Sequence, residues 1–132
     1  MKEITRQWLR SPNDDLKVIE KIVDDELLTH QVAFHAQQCI EKLLKAIMEE
    51  FEIEFIKTHS LETLLDKTKY LVEFPVEIEI IKKFDQLYIE ARYPSEYGLL
   101  PNGKPSLSEA SNYYNYVKKV FYAVENYFNT RN

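Results

Sequence analysis

The residues best suited to do chemistry stand together late in the chain: Arg92, Tyr93, Glu96 and Tyr97. A guanidinium is permanently charged and holds a phosphate or carboxylate through two parallel hydrogen bonds. The two tyrosines suit stacking on a base or donation to a phosphate oxygen, and Glu96 suits a ribose or a basic partner. The group reads as a binding site for a nucleotide or an RNA phosphate. The competing reading makes Arg92 half of an ion pair with Asp85, two helical turns earlier, or with Glu96. Cleavage of RNA would also need a group to take the 2′-hydroxyl proton, most often His near neutral pH. All three histidines, His30, His35 and His59, precede Arg92. Tyr97 is a poor replacement.

Other chemistries find little support. His30 and His35 are five residues apart and fall on different helical faces, while Cys39 sits beside Ile40 in an apolar pattern. No Cys pair or His-Glu-x-x-His spacing occurs, so neither a metal site nor a cofactor is expected. The two glycines are isolated and neither opens a helix, which removes a phosphate-cradling Gly-rich loop. A net charge of −5 opposes generic nucleic-acid binding, which needs cations to replace the counterions of the phosphates, but leaves room for a local basic pocket. One cysteine excludes an intrachain disulfide and suits a reducing cytosol. With neither a signal peptide nor an unbroken apolar run of about 18 residues, a cytoplasmic protein with no membrane segment is expected.

The elements that must position these residues are helical. Of 132 residues only 2 are Gly and 5 Pro, against abundant Leu, Ile, Glu and Lys, and that length fits a single domain, 1–132. Hydrophobic periodicity predicts five helical segments. The first runs over about 12–28, capped by Ser11 with Pro12 at its first position, and Trp8 and Leu9 precede it in a turn or kinked extension. The second covers about 30–51. The third begins near Thr58 or Ser60 and ends before Pro75. The fourth runs from 75 to about 92, because Tyr93 precedes Pro94 and is pushed out of helical geometry. The fifth opens on Ser106-Leu107-Ser108-Glu109, a capping box, and continues to about 129. Residues 93–105 form the one long irregular stretch, holding both glycines and three of the prolines. Loops of that length in a compact domain are often functional.

Polar residues that interrupt the apolar faces matter next. Gln37 falls inside the apolar arc of the second helix and needs a buried partner. Glu41 lies on the edge of that arc, and Lys45, a favourable i, i+4 partner for it, points away toward solvent. Asp15 projects among Trp8, Ile19 and Ile22, where a carboxylate must find donors. A structural network with Gln37, a tyrosine hydroxyl or His59 is the expected solution. On the fourth helix Val76, Ile80, Phe84, Leu87, Tyr88 and Ala91 form the main apolar face, while Ile78 and Ile89 lie on a second side, with Asp85 and Arg92 between. The tyrosine-rich face of the fifth helix, from Leu107 to Phe128, reads as core rather than a base-stacking platform.

Three segments, Phe34-His-Ala-Gln-Gln-Cys-Ile-Glu-Lys-Leu-Leu-Lys-Ala46, Thr58-His59-Ser60-Leu61 and Ala91-Arg92-Tyr93-Pro94, together resemble the HEPN family (higher eukaryotes and prokaryotes nucleotide-binding domain). The Asp15-Leu16 pair fits it as well. The resemblance implies an all-α, up-and-down four-helix bundle with an additional short helix. It also implies a homodimer, with Ile78 and Ile89 in a two-fold interface that brings two copies of Arg92 toward a shared cleft. It suggests a minimal nucleotidyltransferase as partner in a toxin–antitoxin-like pair. Thr58 and His59 then brace a helix start. The ribonuclease branch carries a His a short turn after the Arg; here Tyr97 stands where the nearest such His would fall. A binding protein without catalysis is therefore the expected function, ahead of a metal-independent ribonuclease with a degenerate Arg…His motif or a ligand-free scaffold.

Overall fold

The computed structural model describes residues 1–92 and 103–130, with the side chains of Ala91 and Arg92 excepted. Four long helices, α1 (Glu3–Ile22), α2 (Thr29–Glu50), α4 (Ile78–Arg92) and α5 (Leu107–Thr130), form an up-and-down bundle, and the short α3 (Leu61–Thr68) lies between α2 and α4 in sequence. A 3₁₀ turn, Glu26–Leu28, links α1 to α2. The central element is α2, which packs against each of the others. Its faces explain why: Val32, Ala36, Cys39, Ile40, Leu43, Leu44 and Ile47 are all buried, as the sequence predicts. So are Ala33, Ala46 and Met48, so the apolar arc is wider than one stripe.

The first helix departs most from expectation. It begins at Glu3, not at Pro12, and ends at Ile22, so Ser11 is not its cap and Trp8 and Leu9 are helical. Pro12 sits inside it, at the cost of one i→i−4 hydrogen bond. The helix is started from another element. Glu50, at the end of α2, accepts from the Lys2 amide at 3.0 Å and from the Thr5 hydroxyl at 2.9 Å. A carboxylate supplied by tertiary contact does the capping, and no local residue announces it. Pro12 is tolerated because burial of Leu16 and Ile19 against α2 holds the helix through it. At the other end, Asp25 accepts from the Leu27 amide at 2.9 Å and starts the 3₁₀ turn, splitting the predicted 12–28 segment.

Elsewhere the boundaries shift less. The α5 capping box forms in both directions: Glu109 N–H donates to Ser106 Oγ and Ser106 N–H to Glu109 Oε1, each at 3.0 Å. Tyr113 and Tyr116 are core residues, Tyr114 and Tyr127 are partly buried against the core, and Tyr122 is exposed. Tyr116 donates to the Pro75 carbonyl at 2.9 Å and accepts from the Glu77 amide at 3.2 Å. The Tyr113 phenol is pushed up to about 12, by burial first and then by the Glu109 carboxylate beside it. Leu107, by contrast, is exposed. On α4 the buried set is Ile81, Phe84, Leu87 and Tyr88; Val76 precedes the helix and is exposed, a correction to the predicted face. Ile78 and Ile89 are exposed, on the second side of the helix as expected.

Candidate functional site

Two buried carboxylates organise the polar chemistry of the bundle, and both meet on α2. The first is Asp15. It does not join Gln37, a tyrosine or His59, as its sequence surroundings suggest. Its Oδ1 lies 2.9 Å from His35 Nδ1 and its Oδ2 accepts from Lys42 Nζ at 2.8 Å. Those two donors are seven residues apart on α2, so one stripe of that helix receives the α1 carboxylate. Cys39, between them, donates to the Pro12 carbonyl at 3.4 Å. Its thiol is held well above its ordinary value, by burial first and then by Asp15, with Lys42 working against the shift. It stays a thiol and is no nucleophile.

The second carboxylate is Glu41. Its Oε1 accepts from Gln37 Nε2 at 3.3 Å and stands 2.9 Å from His59 Nδ1, while Oε2 accepts from Lys45 Nζ at 3.1 Å. Gln37 also donates to the His59 carbonyl at 2.8 Å and accepts from Gln38 Nε2 at 2.8 Å. The expected partner for buried Gln37 is therefore found, and so is the Glu41–Lys45 pair. Lys45 is not on a solvated face, however: its side chain is only 9% exposed. The chain after α2 folds back over it, placing the Phe55 ring 5.4 Å below its ammonium, with Trp8 beside that ring. A helix-wheel projection of α2 contains no such cover.

The segment before α3 is fixed by the same set of contacts. Ser60 N–H donates to Thr58 Oγ1 at 3.0 Å, and Ser60 Oγ caps α3 by accepting from Thr63 N–H at 3.3 Å. Thr58 to Leu61 thus braces a helix start as predicted. Asp85 completes the cap from α4, with Oδ1 accepting from Leu61 N–H at 2.8 Å and Oδ2 from Glu62 N–H at 3.2 Å. Burial raises the Asp85 carboxyl above its ordinary value despite those two amides, and nearby Glu62 and Glu41 add to the rise. Both Asp85 oxygens are engaged at the α3 N-terminus. That terminus is already neutralised, and a phosphate would have to be held by other groups.

Between these parts lies a cleft of about 530 Å³, lined by Lys57, Thr58, His59, Ser60, Glu62, Asp85, Tyr88 and Ile89. His59 is 52% exposed even though Nδ1 is engaged with Glu41. Its ring lies 5.2 Å from that of Tyr88, which in turn stacks on Phe34 at 5.9 Å. A carboxylate oxygen only accepts, so the Glu41 contact puts a proton on Nδ1 and leaves Nε2 at the ring's other edge. Arg92 is the last residue of α4, three positions beyond Ile89 and seven beyond Asp85. Tyr93, Glu96 and Tyr97 lie outside the described residues. Among the described residues no three His, Cys, Asp or Glu side chains form a metal-ion cluster. Nor is any helix there long and apolar enough to cross a membrane.

Of the residues singled out from sequence, the structure brings together Gln37, Glu41, His59 and Asp85, with Ile89 on the cleft wall; it separates Asp15 from them. Sequence reasoning missed Lys57, Tyr88 and Glu62 as cleft residues, and His35 and Lys42 as the partners of Asp15. The i, i+7 spacing of His35 and Lys42 was the available signal. For Lys57 there was none.

The sequence matches the HEPN domain family over residues 5–127. The fold is similar to the crystal structure of TT1696 from Thermus thermophilus, with a TM-score of 0.72 and 21% identity, covering 95% of this chain and 98% of that one. At that identity the likeness speaks for the fold alone. No curated protein matches the chain.

Proposed function

The chain belongs to the HEPN family, and from that premise we propose that it binds a nucleotide or an RNA phosphate in the cleft beside α3, with Arg92 as the principal phosphate ligand. The observation that carries this reading is the course of α4. Asp85, Tyr88 and Ile89 line the cleft, and the helix ends at Arg92. Lys57 adds a second cation in the cleft, and Tyr88 is one of its lining residues. Tyr93, Glu96 and Tyr97 follow Arg92 directly in sequence, so a ligand at the end of α4 is within their reach along the chain. The protein works as a homodimer and beside a minimal nucleotidyltransferase in a toxin–antitoxin-like pair. Support for the dimer comes from Ile89, 58% exposed on the cleft wall, and Ile78, exposed on the same helix. Pairing of that face would cover both and set two clefts side by side.

The direct test is fluorescence polarisation with a labelled short single-stranded RNA and, in competition, ATP. Arg92→Ala should weaken binding by about tenfold or more and leave the thermal midpoint unchanged, as expected for loss of a charge-assisted contact. Arg92→Lys should recover little, because a single ammonium cannot form the two parallel bonds. Equal affinity in wild type and Arg92→Ala would overturn the site. Sedimentation tests the dimer: Ile89→Glu should give helical monomers, and a monomeric wild type at micromolar concentration would end that part of the reading.

A further inference from the structure

We propose that a groove between α1 and α5 binds a phosphate monoester that also carries hydroxyl groups, the chemistry shared by sugar phosphates and ribonucleotides. The groove, of about 350 Å³, is lined by Arg6, Leu9, Arg10 and Asn13 of α1 and by Glu125 and Asn129 of α5. It shares no residue with the cleft beside α3 and does not depend on what that cleft binds. Arg6 and Arg10 are four residues apart on one face of α1, and Asn13 continues that stripe. Glu125 and Asn129 have the same four-residue spacing on α5. Other polar groups at this end of the bundle find partners in the protein. The Met1 ammonium lies 3.9 Å from Glu50, the Thr5 hydroxyl donates to that carboxylate at 2.9 Å, and the Lys2 ammonium donates to the Glu49 carbonyl and to Glu52. In the groove the side chains of Arg10, Asn13, Glu125 and Asn129 have no hydrogen-bond or ion-pair partner among the described residues. Arg6 has only Glu3, at 3.9 Å with both side chains more than half exposed, a contact that fixes little. No ion pair joins Glu125 to either arginine, so both signs of charge remain available to a ligand.

The residue types narrow the ligand. Each guanidinium can hold a phosphate through two parallel hydrogen bonds, and a phosphate monoester carries nearly two negative charges at neutral pH, matching the two arginines. The carboxylate of an amino acid would match only one. Glu125 only accepts hydrogen bonds and repels a second anion, so beyond its phosphate the ligand must offer donors, as sugar hydroxyls do. The amides of Asn13 and Asn129 donate and accept, and so suit phosphate oxygens and hydroxyls alike. No aromatic residue lines the groove, which leaves the bases of a single strand nothing to stack on. Its volume falls at the small end of ligand pockets and fits a compact ligand rather than a strand.

The test is an NMR titration of the ¹⁵N-labelled protein with ribose 5-phosphate, AMP, inorganic phosphate, ribose and glutamate. Ribose 5-phosphate should shift the amides around Arg6 to Asn13 and Glu125 to Asn129, and bind at least about tenfold tighter than inorganic phosphate or ribose. Arg6→Ala with Arg10→Ala should weaken it by about tenfold or more; both side chains are exposed and alanine favours a helix, so the fold is kept. Glu125→Gln is the sharper variant: it should weaken ribose 5-phosphate and strengthen inorganic phosphate, because it removes a hydroxyl acceptor and an anion-repelling charge together. AMP binding tighter than ribose 5-phosphate would make nucleotides the source of the ligand, and weaker binding would make it sugar phosphates; either supports the site. Equal binding of inorganic phosphate and ribose 5-phosphate, both strengthened by Glu125→Gln, would mean an adventitious ion only and overturn the proposal. Tighter binding of glutamate, or shifts confined to other parts of the protein, would overturn it as well.

Discussion

The Asp15 and Glu41 clusters are chemically alike: a buried carboxylate between an imidazole Nδ1 at 2.9 Å and a lysine ammonium at 2.8 or 3.1 Å. They differ in which partner meets solvent. Around Asp15, which comes from α1, the His35 and Lys42 side chains are each about a quarter exposed. Around Glu41 the lysine is sealed under Phe55 while the imidazole is half open on the cleft. The first cluster ties two long helices together. The second spends its buried members, Gln37, Glu41 and Lys45, on holding one exposed histidine. Composition of a polar cluster therefore does not reveal its role. What distinguishes them is which member the fold leaves facing a cavity.

That contrast has energetic consequences. The largest effect should come from Glu41→Ala, which leaves Lys45 charged and one Gln37 amide proton without its acceptor in positions water cannot easily reach. A loss of about 3–5 kcal/mol is expected from urea denaturation. Asp15→Ala should cost less, about 1–3 kcal/mol, since His35 and Lys42 regain water when released. Equal costs at the two sites would break the comparison. Asp85→Ala removes only two capping bonds at the start of α3 and should cost about 1 kcal/mol, with the fraying confined to that helix by hydrogen exchange.

The smallest effect is one of pH. The Asp85 carboxyl titrates above its ordinary value in the native protein, so the native state binds more protons than the unfolded state just above 3.8. Its contribution is thus fully present below 3.8 and is lost as pH rises through the native value. Asp85→Asn caps without titrating. Its stability relative to wild type should therefore climb over that window and level off above it. A flat difference between the two proteins from acid to neutral pH would show that burial of Asp85 is not felt as a cost.

Much of the site was legible because it rests on local rules. Ser106 and Glu109 announced their own cap. Gln37 and Glu41 stood out because polar groups on an apolar arc demand partners, and both have them. Asp15 was correctly read as buried and wrongly partnered, because its donors lie 20 and 27 residues away on another helix. The start of α1 failed for the same reason. Glu50 caps it across 45 or more residues, and Ser11-Pro12 offered a false local alternative. Lys45 failed because burial by a folded-back segment is not a property of its helix.

By itself the sequence determined the all-α class, the long helices α2, α4 and α5 within a few residues, their apolar faces, and the need for Gln37, Glu41 and Asp15 to find partners. Those follow from periodicity, capping chemistry and the cost of burying polar groups, which act over a few residues of chain. Only the tertiary structure decided which carboxylate meets which histidine, that Lys45 is sealed while His59 is open, and that Asp85, Tyr88 and Ile89 of α4 line a cleft with the segment before α3. These depend on how segments far apart in the chain pack, and a hydrogen-bonding group accepts any partner of the right geometry that packing delivers.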